Sequence, residues 1–289
     1  MGVLFPPKRY VILAAMTISI SPITTIEECR HIEQLQADIW QSSELEVAPD
    51  HLIFTIAKEG GQVLLARHNE TGEPVGFAYG FLGRTKTGRL KLASHQVGVA
   101  PAYQNQGVGY QLKLAQREAA LADGLDLITW TYDPLQGRNA RLNLHKLGAV
   151  CHIYFPNLYG PMRDELNQGL PSDRFRVEWW IATAWVADRL AGQAQPHQSL
   201  DYPVLNPATL QTDGLLAPPD LSPSPEGEFC LVEFPANLNQ LRAATTKLAL
   251  QWRLHTRQIF QTAFELGYTA VDMLHHEDRN YYLLQKIDE

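Results

Sequence analysis

Residues 97–109 read Val-Gly-Val-Ala-Pro-Ala-Tyr-Gln-Asn-Gln-Gly-Val-Gly. An apolar run stops at Pro101, a short polar turn follows, and Gly107 and Gly109 open a segment, 110–122, with helical apolar spacing. A strand that turns through glycines into a helix aims several backbone N–H groups at one point, where the helix macrodipole is also positive. That is an anion site, suited to a phosphate or pyrophosphate. Two common phosphate loops do not fit. A P-loop needs Lys and then Ser or Thr after its last Gly, and none follows Gly109. A dinucleotide fingerprint needs a third Gly where this chain has Leu112. What remains is Gln-x-x-Gly-x-Gly over Gln104, Gly107 and Gly109.

Working outward, Asp123-Gly124 ends the helix and 125–133 reads as a short buried parallel strand. Residues 137–148 read as a second amphipathic helix, with Ala140, Leu144 and Leu147 on one side and Gly148 as its stop, and 150–155 as a strand. Upstream, the pattern predicts a strand at 17–23, helices at 25–41 and about 49–58, and strands at 62–68, 74–83 and 89–99. One more strand is expected at 173–182. Residues 192–227 contain seven prolines and almost no periodicity, which predicts an extended connector or surface excursion. The last segment, 228–289, reads as strand, long helix (about 238–266), strand and strand.

This order, with Gln-x-x-Gly-x-Gly after a Val-x-Pro strand end, resembles the GNAT acyltransferase superfamily, whose motif A is Gln/Arg-x-x-Gly-x-Gly/Ala. The match runs from about 90 to 160. A closer resemblance is to an uncharacterised GNAT subgroup described only as predicted acetyltransferases. It rests on Ser94-His95, residues 130–135 (WTYDPL), Arg138-Asn139-Ala140, residues 157–160 (NLYG), Asp173-Arg174-Phe175 and Glu178-Trp179-Trp180. The resemblance implies an α/β fold with a mixed sheet, GNAT-like, carrying a C-terminal strand-helix-strand-strand extension. The expected layout is a leader at 1–15, a GNAT-like acyl-CoA domain at 16–191, a Pro-rich connector at 192–227 and an α/β extension at 228–289. That extension packs on the first domain, and a degenerate second GNAT half is an open alternative for it.

Acetyl-CoA as co-substrate, and transfer to an amine by direct attack on the thioester, also follow from the resemblance. It assigns the pyrophosphate to backbone N–H groups of Gln106, Gly107, Val108 and Gly109, with Gln104, Asn105 and Tyr110 beside them. It pairs the pantetheine arm with Val97, Gly98 and Val99, places the Val99 N–H near the thioester oxygen, and makes Gly98 compatible with a bulge. His95 is the first candidate for proton acceptor, four residues before Val99 and expected on its face. Asp133, ending the adjacent strand, is the second. Structural roles compete for both: a packed histidine, and a helix cap or turn with Pro134. Two positions depart from the family. Leu144 stands where many members have a Tyr that protonates the thiolate, so Tyr132 or Tyr159 takes that role or the thiolate leaves unassisted. The motif-B Asn is displaced, to Asn139. An inactive CoA-binding sensor or scaffold is the alternative function, and a protein N-terminus or lysine the alternative acceptor.

Other features read blandly. Lys113 and Arg117, and Arg253 and Arg257, either reach CoA phosphates or face solvent, and solvent is the favoured reading. His275-His276-Glu277-Asp278 reads as a turn, with no metal expected. Trp179-Trp180 reads as core packing. At 289 residues, 45% apolar and 19% charged, the chain has an ordinary globular composition. Its net charge of −7 gives no support to nucleic-acid or anionic-membrane partners. Three cysteines without CxxC spacing suit reduced thiols and a cytoplasmic location. Lys8-Arg9 followed by YVILAAM faintly resembles a signal peptide, but the apolar run is short, and a start at Met16 is the favoured reading. The partner expected is a small-molecule or peptide amine, and a homodimer is allowed.

Overall fold

The structure, a computed structural model, describes residues 17–40, 47–160, 169–194, 200–212, 214–221 and 223–287. The expected leader at 1–15 lies outside them. The chain divides into two compact units between Thr129 and Trp130, inside one strand. In the first unit, β1 (Ile18–Pro22), β2 (Gln62–His68), β3 (Pro74–Arg84) and β4 (Leu90–Val99) pair antiparallel in that order, and β5 (Leu127–Tyr132) runs parallel to β4. One face of this sheet packs on α1 (Ile26–Trp40) and α2 (Asp50–Lys58) through Ile32, Leu35, Ile53, Phe77 and Tyr79. The other packs on α3 (Val108–Ala122) through Leu64, Ala78, Val108, Leu112 and Ala115. Helix α1 begins where Thr25 Oγ1 accepts from the Glu28 N–H while the Glu28 carboxylate reaches back to the Thr25 N–H, a reciprocal cap. Helix α3 ends at Gly124, which adopts φ +74 while the Leu125 N–H returns to the Ala120 carbonyl.

In the second unit the strand order is β5, β7 (Arg174–Trp180), β6 (Val150–Phe155), β11 (Tyr268–His276), β12 (Arg279–Lys286), β10 (Phe229–Phe234). Two helical segments depart from the periodicity. Residues 137–148 hold only one turn of α4 (Gly137–Ala140) before widening into a π-helical stretch, Arg141–Lys146. The long helix expected over 238–266 is broken into α6 (Leu238–Ala244) and α7 (Thr246–Glu265). Thr245 between them is extended (φ −159, ψ 107), and its hydroxyl accepts from the Leu248 N–H, restarting the helix with its own cap. A further helix, α5 (Ala184–Leu190), was not apparent from spacing.

The described residues of the proline-rich stretch are held at several points. It contains a two-residue hairpin, β8 (Thr209–Leu210) with β9 (Leu216–Ala217). Asn206, fully buried, exchanges two hydrogen bonds with the Glu233 backbone, and Leu216 accepts from the Trp252 indole. Among the described residues no helix is long and apolar enough to cross a membrane.

Candidate functional site

Strand β4 pairs with β3 along its whole length, but with β5 only at Leu92 and Ala93. Among the described residues, its edge from Ser94 to Val99 therefore carries no second ladder. Immediately beyond, Ala100–Gln104 makes a single 3₁₀ turn, and the Gln104 amide donates to the Val99 carbonyl, pinning the loop to the strand end. Asn105 (φ +62) and Gly107 (φ +86) are left-handed, the kind of turn that makes successive N–H groups converge on an anion. Gly107 is the residue before α3 and caps it with backbone only, so the first helical amides, from Val108 to Tyr110, have no intrahelical acceptor. An open strand edge thus leads straight into a helix N-terminus suited to phosphate.

Two sequence expectations about β4 are corrected. Gly98 is not the bulge. It is paired with Phe77, and a Cβ there would come within 2.7 Å of the Phe77 ring and 2.9 Å of Ile39. The bulge lies at His95, where pairing passes from Tyr79/Gln96 to Gly80/Ser94. One extra residue reverses the alternation. Val97 and Val99 consequently pack toward α3, whereas His95 lies against the rings of Tyr79 and Phe81 at 5.5 and 6.0 Å. His95 therefore does not share the face of Val99. Its side chain reaches the surface, yet desolvation by the surrounding rings lowers its pKa below the ordinary value.

Lys113, expected at solvent, is buried beneath β4. Its ammonium donates to Ser94 Oγ at 2.8 Å and to Gln116 Oε1 at 3.2 Å, and burial pushes its pKa down to about 7. Arg117 is half-buried, and desolvation lowers its pKa too.

Residues 26–149 match the model described as the acetyltransferase (GNAT) family. This segment is a GNAT domain. No curated protein matches the chain. Solved structures similar to it include an acetyltransferase of the GNAT family from Streptococcus pneumoniae, 14% identical, with 56% of this chain and 98% of that one aligned and a TM-score of 0.46. Another is Naa50 from Arabidopsis thaliana in complex with a bisubstrate analogue, 15% identical over 56% and 98% of the two chains, TM-score 0.45. A third is the ribosomal-protein-S18-alanine N-acetyltransferase from Escherichia coli, 16% identical over 58% and 96%, TM-score 0.43.

The remaining sequence candidates lie at the end of the GNAT domain and beyond, in the second unit. Asp133 is buried: Oδ1 accepts from the Leu135 N–H at 2.8 Å and Oδ2 from Arg253 at 2.6 Å. Tyr132 is buried with its hydroxyl 3.1 Å from that of Tyr282, and desolvation carries its pKa well above the usual phenol value. Tyr159 is exposed, with its hydroxyl 3.0 Å from Thr131 Oγ1 and the Arg174 guanidinium over its ring. Asn139 is exposed on α4, and Leu144 is fully buried. Arg253 and Arg257, expected at solvent, are structural: Arg257 grips Asp173 through two bonds of 2.8 and 2.7 Å, and Tyr154 donates to the same carboxylate.

A buried group that the sequence did not suggest stands beside Leu144. His145 Nδ1 is 3.0 Å from Asp272, whose other oxygen accepts from Arg189 at 3.0 Å. Burial alone would raise the Asp272 pKa, but His145, Arg189 and the Met273 N–H outweigh it and hold it below the ordinary carboxylate value. Among the described residues no group of three His, Cys, Asp or Glu is arranged to hold a metal.

Proposed function

We propose that this protein is an acetyl-CoA-dependent N-acetyltransferase that transfers the acyl group directly to a primary amine. One observation carries the reading. The unpaired edge of β4, Ser94–Val99, ends at a left-handed turn and the free amides of α3. An amide-bearing arm laid along that edge would gain ladder hydrogen bonds, and its pyrophosphate would meet the N–H groups of Asn105–Tyr110. The GNAT domain supplies the donor class, and a thioester brings an already activated acyl carbon.

His95 is the group assigned to proton removal, because it is the candidate at the surface of the first unit with a pKa held low enough to be neutral near pH 7. The amine nitrogen attacks as a C–N bond forms and the C–S bond breaks. An ammonium acceptor loses one proton to His95 before attack and a second as the amide forms. The thiolate takes up that second proton, by way of solvent. Tyr132 is committed to Tyr282, Tyr159 pairs with Thr131 beneath the Arg174 guanidinium, and Leu144 cannot donate, so no side chain is assigned to this step. A thiol with pKa of about 8.5 leaves tolerably without help. Three free, buried cysteines, Cys29, Cys151 and Cys230, support a cytoplasmic setting for this activity.

Calorimetry with acetyl-CoA and thiol release with a panel of amines test the proposal. Binding with thiol release that falls about 100-fold or more in His95→Ala, a typical general-base effect, is the expected result. Binding without release for any amine would establish the sensor reading instead, which Leu144 in place of a tyrosine favours.

A further inference from the structure

The β3–β4 bulge gathers polar atoms that the donor chemistry does not use. Tyr79 and Gln96 are direct cross-strand partners, so their side chains stand side by side on one face. Each has a buried polar atom with no hydrogen-bond partner: the Tyr79 hydroxyl and Gln96 Oε1. Leaving one such atom unsatisfied costs about 1–3 kcal/mol, and two in one registered pair call for an occupant. The Tyr79 ring stacks on Phe77 at 6.1 Å and is 1% exposed. Above it, His95 and Phe81, the latter 44% exposed, form an outer wall. His95 and Phe81 are both exposed, and exposed side chains change rotamer within nanoseconds.

We propose that the bulge is the acceptor subsite, and that it selects a primary amine carried on an apolar or aromatic group. This rests on the acetyltransferase reading and names its substrate class. An alkylammonium has three N–H donors, matched in number by Tyr79 Oη, Gln96 Oε1 and a ring nitrogen of His95. The rings of Tyr79, Phe81 and His95 suit an apolar stem, and the faces of Tyr79 and Phe81 suit a cation. A carboxylate on the acceptor would find no cationic side chain in this ring cluster.

The test uses the full chain with 2-phenylethylamine, spermidine and glutamate as probes, and measures acetyl-CoA affinity separately. The expected result is a KM about tenfold or more lower for 2-phenylethylamine than for the other two, with movement of the His95 imidazole resonances on binding. Tyr79→Phe keeps the ring and removes the orphan hydroxyl. It should raise the amine KM about tenfold, the worth of one hydrogen bond, with acetyl-CoA affinity and the urea midpoint unchanged or slightly improved. An unchanged amine KM in Tyr79→Phe, the result if a water alone fills the pair, overturns the proposal, as does preference for glutamate or spermidine. Intact acetyl-CoA binding in those cases leaves the donor reading standing. Failure to bind acetyl-CoA overturns that reading, and this proposal with it.

Discussion

In the first unit the acid–base pairs lie toward the surface, as with Arg30 and Glu27 or Arg89 and Asp126, and among its described residues Lys113 is the one charged side chain buried. In the second, carboxylates are buried against arginines: Asp133 with Arg253, Asp173 with Arg257, Asp272 with Arg189, Glu233 with Arg279, and Glu178 with Arg176. Such pairs add little net stability over well-packed apolar residues, but each is expensive to break. They also fix geometry, tying α7 to the end of β5 and to the loop before β7. The first unit is built mainly from apolar clusters, and its unsatisfied groups include the backbone amides at the start of α3 and the orphan atoms at the bulge. The second unit also leaves buried nitrogens of Arg176, Arg189 and Arg253 without partners, so what separates the two units is buried ion pairing rather than unmet hydrogen bonds.

Arg253→Met should break this contrast hardest. It leaves the Asp133 carboxylate buried and uncompensated, so urea unfolding should show a loss of about 3–5 kcal/mol. Adding Asp133→Asn should recover part of that loss, whereas a surface pair such as Arg89 with Asp126 should cost less than about 1 kcal/mol.

The units should also respond to pH in different windows, readable by amide hydrogen exchange in α3 and in β11. Lys113 has a folded pKa of about 7 against an ordinary 10.5, so between those values the unfolded chain binds more protons. Stability of the first unit should therefore rise as pH climbs from about 7 toward 10, and Lys113→Met should abolish the slope. Asp272 has a folded pKa below the ordinary 3.8. Its contribution is fully present above that value and is lost as pH falls through the folded pKa, so β11 protection should fail only in strong acid.

The smallest effect separates the two glycines of the loop. Gly107→Ala forces a side chain into the left-handed region at a cost of about 1–2 kcal/mol and should weaken acetyl-CoA binding. A Cβ at Gly109 meets only Val99 Cγ2, at an ordinary 3.8 Å, so Gly109→Ala should stabilise α3 by about 0.5–1 kcal/mol.

Most strands and helices of both units were legible, because period-2 and period-3.6 patterns are local and the Gly107, Gly124 and Gly148 signals mark turns directly. The cap at Thr25 and Glu28 is legible too, as Thr-x-x-Glu before an apolar run. The bulge was not. A one-residue slip at His95 leaves no local mark, and it alone decides which face the histidine serves. Lys113 next to Leu112 reads as the polar edge of an amphipathic helix, and only the breadth of the face that β4 covers buries it. The Asp-Pro turn at Asp133 was readable as a turn. Its arginine lies 120 residues away, at a separation no local pattern reports. Nor could composition show that the proline-rich stretch is anchored by Asn206.

The open edge of β4 has a consequence for how the molecule behaves in a tube. Unpaired strand N–H and C=O groups are a template for another chain, and proteins usually blunt them with charge, proline or a covering segment. Residues 96–99, Gln-Val-Gly-Val, carry neither charge nor proline, and among the described residues no strand pairs with their second edge. A ligand along that edge would take the place of the missing neighbour, so preparations without coenzyme A should self-associate on concentration and those with it should stay dispersed.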